Sequence, residues 1–270
     1  MTSLIRYSIK NKLIEPWIKF IWHFEAENEN IHHKLLPTDC IDIIINFSDK
    51  IIYEIENEYI IAPFIHVNGL RKKCSYIYQK GDMNIWGISF QPFGFYPFIN
   101  KSLRDIQDKI INLSDLSMEL TEKLINAVLK GENDEHIVKN IETVLFQEIK
   151  TTKKQIQKIQ KMYSFFKSNE NTSVELFCQN NKINQKTFIR NVLCYTGYTP
   201  KTLHSIIRFQ KAVNRIIYKK IEKFSEIAYI CGFADQSHFI REFRKFSGVT
   251  PSTFIREKMT IKEKLICNYK

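Results

Sequence analysis

The sequence F-I-R-N-V-L-C-Y-T-G-Y-T-P at residues 188–200 returns as F-I-R-E-F-R-K-F-S-G-V-T-P at residues 239–251, and this repeat decides the fold of the carboxy-terminal half. Six residue types recur at an offset of 51 positions. In each copy the apolar residues fall at three- and four-residue intervals, which predicts a helix with one buried face. Gly197 and Gly248 should end the two helices, and the Pro that closes each copy should begin the next segment.

A shorter helix is predicted just upstream of each copy, at about residues 173–180 and 225–231. A short helix, a tight turn and a longer helix with a polar outer face form the helix-turn-helix arrangement, whose second helix enters the major groove of DNA. The sequence therefore predicts two such units, at about residues 172–196 and 224–247.

Residues 201–219, between the two copies, have apolar residues at helical spacing and predict a connecting helix about 28 Å long, at roughly 1.5 Å per residue. One turn of duplex DNA advances about 34 Å. Two recognition helices held this far apart could occupy successive major-groove segments on one face of DNA. The alternative is an all-α bundle with a duplicated hairpin and no ligand.

Charge is divided unevenly along the 270-residue chain. Residues 151–270 hold 23 Lys and Arg against 8 Asp and Glu, whereas residues 1–150 hold 17 against 21. An excess of this size in one half is typical of a domain that binds a polyanion. A solvated lysine-rich surface is the alternative interpretation.

The amino-terminal half predicts an antiparallel β sandwich or barrel over residues 1–110, because short β-branched and aromatic runs alternate with turn residues. The strand candidates are residues 20–24, 41–47, 51–55, 59–67, 74–79 and 85–90, with a turn at Lys80-Gly81-Asp82. A helical hairpin follows at residues 115–150, and its apolar stripes could cover the sheet or pair with a second subunit.

Composition excludes several classes of protein. The hydrophobic fraction of 44% predicts a packed core, and no apolar run approaches the roughly 18 residues of a membrane span. The first residues lack the layout of a secretory signal, so we expect a cytoplasmic protein without a membrane partner. The six Cys form no C-x-x-C pair and are expected to be reduced thiols.

Residues 224–256, F-S-E-I-A-Y-I-C-G-F-A-D-Q-S-H-F-I-R-E-F-R-K-F-S-G-V-T-P-S-T-F-I-R, closely resemble the signature of the AraC/XylS family of bacterial transcription regulators. The resemblance covers about residues 155–257. It implies two helix-turn-helix units that are joined by a long helix and bound to double-stranded promoter DNA, with activation as the commoner mode of regulation.

The amino-terminal half is similar to the cupin-like sensor domains that precede this module in some family members. The similarity lies in L-L-P-T-D-C-I-D-I-I-I-N-F at residues 35–47 and W-G-I-S-F-Q-P-F-G at residues 86–94. The chain is thus expected to have an α+β fold with two domains: a sensor or dimerisation domain at residues 1–150 and a DNA-binding domain at residues 151–270.

The family's base-reading positions carry over to one exposed stripe on each recognition helix. They are Lys186, Ile189 and Arg190 in the first unit and Gln236, Ser237, Ile240 and Arg241 in the second. Arg can bind guanine with two parallel hydrogen bonds, Gln can bridge adenine, and Ile can contact a thymine methyl. A phosphate contact or a surface salt bridge is the alternative role for either Arg. Asp235 is expected to cap the second recognition helix.

The first unit departs from the family pattern, because Cys178 and Lys182 stand where Ala and Gly are usual, whereas the second unit keeps Ala228 and Gly232. Lys182 falls where the turn can require a positive φ, which would strain it mildly. His238, beside a core Phe, is expected to be a hydrogen-bonded structural residue.

No enzyme activity, cofactor or metal is predicted for the amino-terminal half. His23, His32, His33 and His66 lack the H-x-H spacing of metal-binding cupins, and adjacent strand residues such as His32 and His33 point to opposite faces. An apolar pocket lined by aromatic residues such as Trp22, Phe47, Trp86 and Phe90 could bind a small molecule, although a core role is the commoner one for such residues.

The leading hypothesis is a sequence-specific transcription regulator that dimerises, contacts RNA polymerase or senses an unidentified effector through its amino-terminal half. Two alternatives remain open at this point. One is a cupin-like enzyme of small molecules that is fused to a DNA-localising module. The other is an interaction protein whose basic half docks on an acidic partner.

Overall fold

The computed structural model describes residues 2–167, 173–218 and 223–258. Its amino-terminal half is built on one antiparallel sheet of eight strands. The strands are β1 (Ser3–Tyr7), β2 (Ile18–Leu35), β3 (Ile41–Asn46), β4 (Ile52–Ile55), β5 (Glu58–Ile61), β6 (Ile65–Asn68), β7 (Ser75–Phe90) and β8 (Ile110–Asn112).

The sheet confirms the predicted antiparallel β fold and is open. Its strand order is β1-β2-β7-β3-β6-β8, so β1 and β8 are the two edge strands of this series. Outside the series, β4 pairs with both β7 and β5. Strands β2 and β7 are 18 and 16 residues long and pair with each other from Ile18–Phe90 to Leu35–Ser75. The two ends of β7 meet different neighbours, β3 at one end and β4 at the other.

The turn predicted at Lys80-Gly81-Asp82 is wrong, because these residues lie inside β7. The register between β2 and β7 shifts between Ala26 and Glu29, opposite Gly81. Gly81 has φ +106° and Asn28 has φ +48°, so a bulge absorbs the bend and the ladder continues on both sides. The candidate strand 20–24 is accordingly one part of the much longer β2.

The single strand predicted at residues 59–67 is also wrong, because the structure divides it into β5 and β6. Pro63 lies between them and has no N–H to donate to a ladder. The chain leaves β4 there, and β6 pairs instead with β3 and β8.

The helices carry most of the remaining chain. They are α1 (Tyr96–Ile99), α2 (Leu113–Leu116), α3 (Met118–Leu129), α4 (Asp134–Gln147), α5 (Lys153–Lys167), α6 (Val174–Asn180), α7 (Gln185–Thr196), α8 (Pro200–Tyr218), α9 (Phe224–Cys231), α10 (Gln236–Ser247) and α11 (Pro251–Lys258), with a 3-10 turn at Arg104–Ile106. Among the described residues, none of these helices is both long enough and apolar enough to cross a lipid bilayer.

Helices α3 and α4 form the predicted hairpin. Ser117 and Asn133 cap them by accepting hydrogen bonds from the backbone N–H groups of Leu120 and His136. The inner stripe is fully buried in the chain's own core, at Leu120, Leu124, Ile141 and Leu145. These stripes therefore pack within the chain, which is one of the two outcomes that the sequence left open.

One continuous hydrophobic core joins the two halves. At its centre, Phe93 lies 5.3 Å from Tyr163 and 5.5 Å from Phe166, measured between ring centroids, and Tyr96 lies 4.4 Å from Tyr195. We call these five residues the aromatic seam. Because Phe93 and Tyr96 follow the sheet and the other three rings lie on α5 and α7, the seam fastens the first recognition helix to the amino-terminal half.

Candidate nucleic-acid interface

The first helix-turn-helix unit consists of α6, a short turn and α7. Asn184 caps α7 by accepting a hydrogen bond from the backbone N–H of Thr187 at 3.1 Å, and Gly197 ends it with φ +81°. Phe188, Val192 and Tyr195 are buried along one side of α7. The helix end and the buried stripe that the repeat predicts are both confirmed.

The second unit repeats this construction with α9 and α10. Asp235 caps α10 by accepting a hydrogen bond from the backbone N–H of His238 at 2.6 Å, as the sequence predicts. Gly248 ends the helix with φ +80°, and Phe239, Phe243 and Phe246 are buried. A carboxylate at the start of a helix also interacts favourably with the helix dipole.

The two turns use the same bond but differ in length. Ile183 donates its N–H to the carbonyl of Cys178 at 2.9 Å, and Phe233 does the same to Ala228 at 2.9 Å. The residue before each donor has a positive φ, +54° at Lys182 and +79° at Gly232. The second turn then holds one residue more before its cap, so the first unit is the shorter copy. The strained conformation expected at Lys182 is confirmed.

Replacing Lys182 by Gly should stabilise the protein by ~0.5–1 kcal/mol. A non-Gly residue in the left-handed region costs about 1–2 kcal/mol, and the added freedom of Gly in the unfolded chain offsets part of the gain. Urea denaturation of the full chain measures the difference. Lys158→Gly, at an exposed position inside α5, is the control and should cost about 1 kcal/mol. A loss of stability in both variants would contradict the assignment of strain to Lys182.

The structure places the predicted base-reading residues on the outer faces of α7 and α10. Six are exposed: Lys186, Ile189, Arg190, Gln236, Ser237 and Arg241. Ile189 is 38% exposed, whereas Ile240 is half-buried and packs against the core. Ile240 is therefore the least accessible member of the predicted set. Contact of these seven side chains with bases stays a prediction.

Helix α8 connects the two units as a single 19-residue helix. At roughly 1.5 Å per residue it spans about 28 Å, and it begins at Pro200 as predicted. The predicted end at Lys219 lies outside the described residues. Leu203, Ile206 and Phe209 are fully buried along the helix, so α8 is a packed strut between the two units.

Arg208 of α8 fixes the second recognition helix to this strut. Its guanidinium lies 2.9 Å from a carboxylate oxygen of Glu242 on α10, and the other oxygen of Glu242 accepts from the Ser205 hydroxyl at 3.0 Å. Arg208 also donates to the carbonyl of Gly232 at 3.4 Å and lies over the Phe233 ring. The sequence analysis missed this pair, because residues 34 positions apart carry no periodic signal.

A double-mutant cycle on Arg208 and Glu242 should give a coupling of about 1 kcal/mol in the free energy of unfolding. The side chains are only 19% and 18% exposed, so solvent screens the pair less than a surface pair. The control cycle uses Lys12 and Glu15, whose side chains are 80% and 48% exposed, and should give less than about 0.5 kcal/mol. Equal couplings in the two cycles would refute the positioning role of Arg208.

His238 has the structural role predicted for it. Its Nδ1 accepts a hydrogen bond from the backbone N–H of Ala234 at 3.2 Å, and its ring meets Phe233 edge-on. The contact holds the turn against the start of α10.

A second candidate site is a cavity of about 130 Å³ inside the curved sheet. Of the four aromatic residues predicted to line a pocket, only Trp22 does so. The others do not: Trp86 and Phe90 belong to the main core, which is the commoner role for such residues, and Phe47 packs edge-on against Phe64 at 5.0 Å. The bulge lies in β2, where the residues that face the cavity change from even positions such as Trp22 before it to odd positions such as Ile31 after it.

The predicted histidines do not converge. His33 lines the cavity, whereas His32 stacks on Tyr78 at 4.5 Å, so neighbouring rings point to opposite faces as expected. His23 stacks on Trp86 and pairs with Asp134 at 2.9 Å. Within the described ranges, no group of three or more His, Cys, Asp and Glu side chains is arranged to hold a metal ion.

One side chain of the carboxy-terminal half lines the cavity. Gln210 of α8 is buried, lines the cavity and donates a hydrogen bond to the carbonyl of Pro37 in the loop between β2 and β3. Nearby, Tyr198 donates to the carbonyl of Leu70 at 3.0 Å, and the Leu103 N–H donates to the carbonyl of Cys194 at 2.8 Å. The strut and the first recognition helix are thus bonded to the sheet domain.

Comparison with known families confirms the resemblance in the carboxy-terminal half. Residues 177–257 match the family model described as "Helix-turn-helix domain". Residues 11–112 match a second model, described as "Domain of unknown function (DUF6597)". No curated protein matches the chain.

Solved structures similar to this chain include ToxT from Vibrio cholerae O395, at 16% identity and a TM-score of 0.49, which covers 97% of this chain and 98% of that one. The DNA-binding domain of AdpA in complex with a target DNA is similar at 19% identity and a TM-score of 0.36, over 39% of this chain and 95% of that one. The C-terminal domain of AraT from Geobacillus stearothermophilus is similar at 20% identity and a TM-score of 0.35, over 39% of this chain and 88% of that one.

Proposed function

We infer, from a carboxy-terminal half that carries an AraC-type helix-turn-helix domain, that this chain is a transcription regulator that reads promoter DNA with two recognition helices. One observation carries the proposal: α7 and α10 present exposed cationic faces and are both packed on the strut α8. A strut of about 28 Å is close to the roughly 34 Å between successive major-groove segments. The excess of Lys and Arg over Asp and Glu in residues 151–270 would attract the negatively charged phosphate backbone of DNA.

The amino-terminal half is proposed to modulate this binding in response to a small molecule. The cavity supplies a place for such an effector, and Gln210 supplies the connection to α8. Activation is the proposed sign of regulation, with RNA polymerase and a second copy of the chain as proposed partners. A promoter-binding protein works where the chromosome is, so the proposal includes a cytoplasmic location.

The test begins with genome-wide mapping of DNA bound by the tagged protein, followed by titration of a mapped fragment over a range of salt concentrations. We expect log affinity to fall linearly with log salt, because bound phosphates release counterions. We also expect the mapped fragment to bind at least 1,000-fold more tightly than a scrambled one, roughly the lower limit for specific regulators. Equal affinity for the two fragments would reject sequence-specific regulation. If neither fragment binds even at low salt, where phosphate contacts are strongest, DNA is not the partner.

A further inference from the structure

Two kinds of residue line the cavity. The apolar ones, which we call the isoleucine wall, are chiefly Phe24, Ile31, Ile44, Ile51, Ile77 and Ile85. Four of the others, which we call the polar wall, each have a buried polar atom with no partner among the described residues: Asn68, Gln79, Arg71 and Trp22. Buried polar atoms are nearly always hydrogen-bonded, so four such atoms around one cavity indicate a ligand that bonds to them.

The hydrogen bonds around Asn68 fix which of its amide atoms is left without a partner. The carbonyl of Pro63 can only accept, so the His66 Nδ1 that lies 2.9 Å from it carries the hydrogen. Burial lowers the pKa of His66 to about 4, so the ring is neutral and its Nε2 accepts. The Tyr53 hydroxyl, 3.1 Å away, must therefore donate to Nε2.

Since the Tyr53 hydrogen is used in this way, the Tyr53 oxygen can only accept from Asn68. Asn68 Nδ2 donates to that oxygen at 3.1 Å, which leaves Asn68 Oδ1 as the unpaired atom. If the Asn68 amide were flipped, its oxygen would face the Tyr53 oxygen, and no hydrogen would lie between these two acceptors. The polar wall therefore presents an acceptor at Asn68, a residue that is 93% buried.

Gln79 is fixed by the same logic. Its Nε2 donates to the backbone carbonyl of Asp49 at 2.9 Å, and a carbonyl cannot act as the donor. Gln79 Oε1 is thus a second acceptor, in a residue that is only 4% exposed. Arg71 Nε and Trp22 Nε1 are the two donors, because neither nitrogen has a lone pair to offer.

Charge and size narrow the ligand further. The lining holds one guanidinium, Arg71, and one carboxylate, Asp42, which interact with each other, so the wall does not favour an ion of either sign. Benzene occupies an engineered apolar cavity of about 150 Å³, close to the volume here. The occupant should be about that size.

We propose that the cavity binds an uncharged molecule of about benzene size, whose apolar face lies on the isoleucine wall and which carries at least two O–H or N–H donors for Asn68 Oδ1 and Gln79 Oε1. Hydroxyl groups would also accept from Arg71 and Trp22. The inference rests on the proposed regulatory function only in treating this ligand as the effector. The chemistry of the site stands without DNA.

The experiment measures binding to the full chain by calorimetry, without DNA and under reducing conditions. The probes are the three dihydroxybenzenes, each compared with the xylene of the same substitution pattern, in which methyl groups replace the hydroxyls at similar size. We expect at least one dihydroxybenzene to bind one-to-one and at least tenfold more tightly than its xylene. Benzoate tests the charge argument and should bind more weakly than that dihydroxybenzene.

Variants identify the acceptors. Gln79→Met and Asn68→Leu keep the approximate side-chain volume and remove one acceptor each, and each should weaken dihydroxybenzene binding at least tenfold. Asn140→Leu removes an amide that bonds to Ala127 outside the cavity and should change nothing. The two cavity variants keep the test open if either one does not fold.

Three outcomes would overturn the proposal: a xylene that binds as tightly as its diol, benzoate as the tightest probe, or no binding of any probe, which would indicate a cavity filled by water. None of these outcomes bears on DNA binding. Conversely, failure of the promoter titration would leave a positive calorimetric result intact, so the two proposals fail separately.

Discussion

Replacing Gly197 by Ala should lower the free energy of unfolding by about 2–5 kcal/mol. A non-Gly residue at φ +81° costs about 1–2 kcal/mol. In addition, a Cβ at this position would lie 2.6 Å from the backbone carbonyl oxygen of Leu103, and relieving such overpacking costs about 1–3 kcal/mol. The clash falls where the first recognition helix meets the sheet domain, so the variant should also loosen that contact.

Gly248→Ala is the matched control, because Gly248 ends the second recognition helix with φ +80°. A Cβ there would meet only the amino group of Lys34 at 3.3 Å, at the end of a flexible side chain. This variant should therefore cost only the backbone part, about 1–2 kcal/mol. Thermal and urea denaturation of both variants give the comparison. If the two variants lose equal free energy of unfolding, the Leu103 backbone moves aside at no cost, and the clash predicted at the contact between α7 and the sheet domain does not destabilise the protein.

Replacing Arg241 by Ala should reduce the preference for cognate over scrambled DNA by about 1–3 kcal/mol, or about 5- to 150-fold. This is the range for one lost bidentate contact to guanine. Arg241 lies on the exposed face of α10. Competition binding with a mapped promoter fragment and its scrambled copy measures the change.

Lys154→Ala is the control for charge alone, because Lys154 is exposed in the first turn of α5, outside both helix-turn-helix units. It should weaken both DNA fragments alike and reduce the salt slope by about one phosphate contact. If Arg241→Ala also weakens both fragments equally, Arg241 contacts phosphate, and the base-reading role assigned to it is wrong.

Features with local causes were predictable from the sequence. The caps at Asp235 and Gly248 follow from residue types that satisfy helix ends within three or four positions. The recurrence of six residue types at one offset predicted both recognition helices, and apolar residues at helical spacing predicted the strut. Even the strain at Lys182 could be inferred, because the second copy of the turn shows where its Gly belongs.

Features with distant causes were not predictable. Gly81 looks like a hairpin turn, and only the pairing of β2 with β7 over their full lengths makes it a bulge. The bond between Arg208 and Glu242 depends on how α10 lies on α8. The polar wall of the cavity joins Trp22 of β2 to Asn68, Arg71 and Gln79, which lie at uneven intervals much later in the chain, so no spacing in the sequence indicates it.

The aromatic seam has a thermodynamic consequence. Its five rings come from both halves and pack into one hydrophobic core, so unfolding of either half would expose apolar surface of the other to water. A heat-capacity scan of the full chain should therefore show one peak rather than two. Any compound that binds and stabilises the sheet would then raise the unfolding temperature of both recognition helices as well.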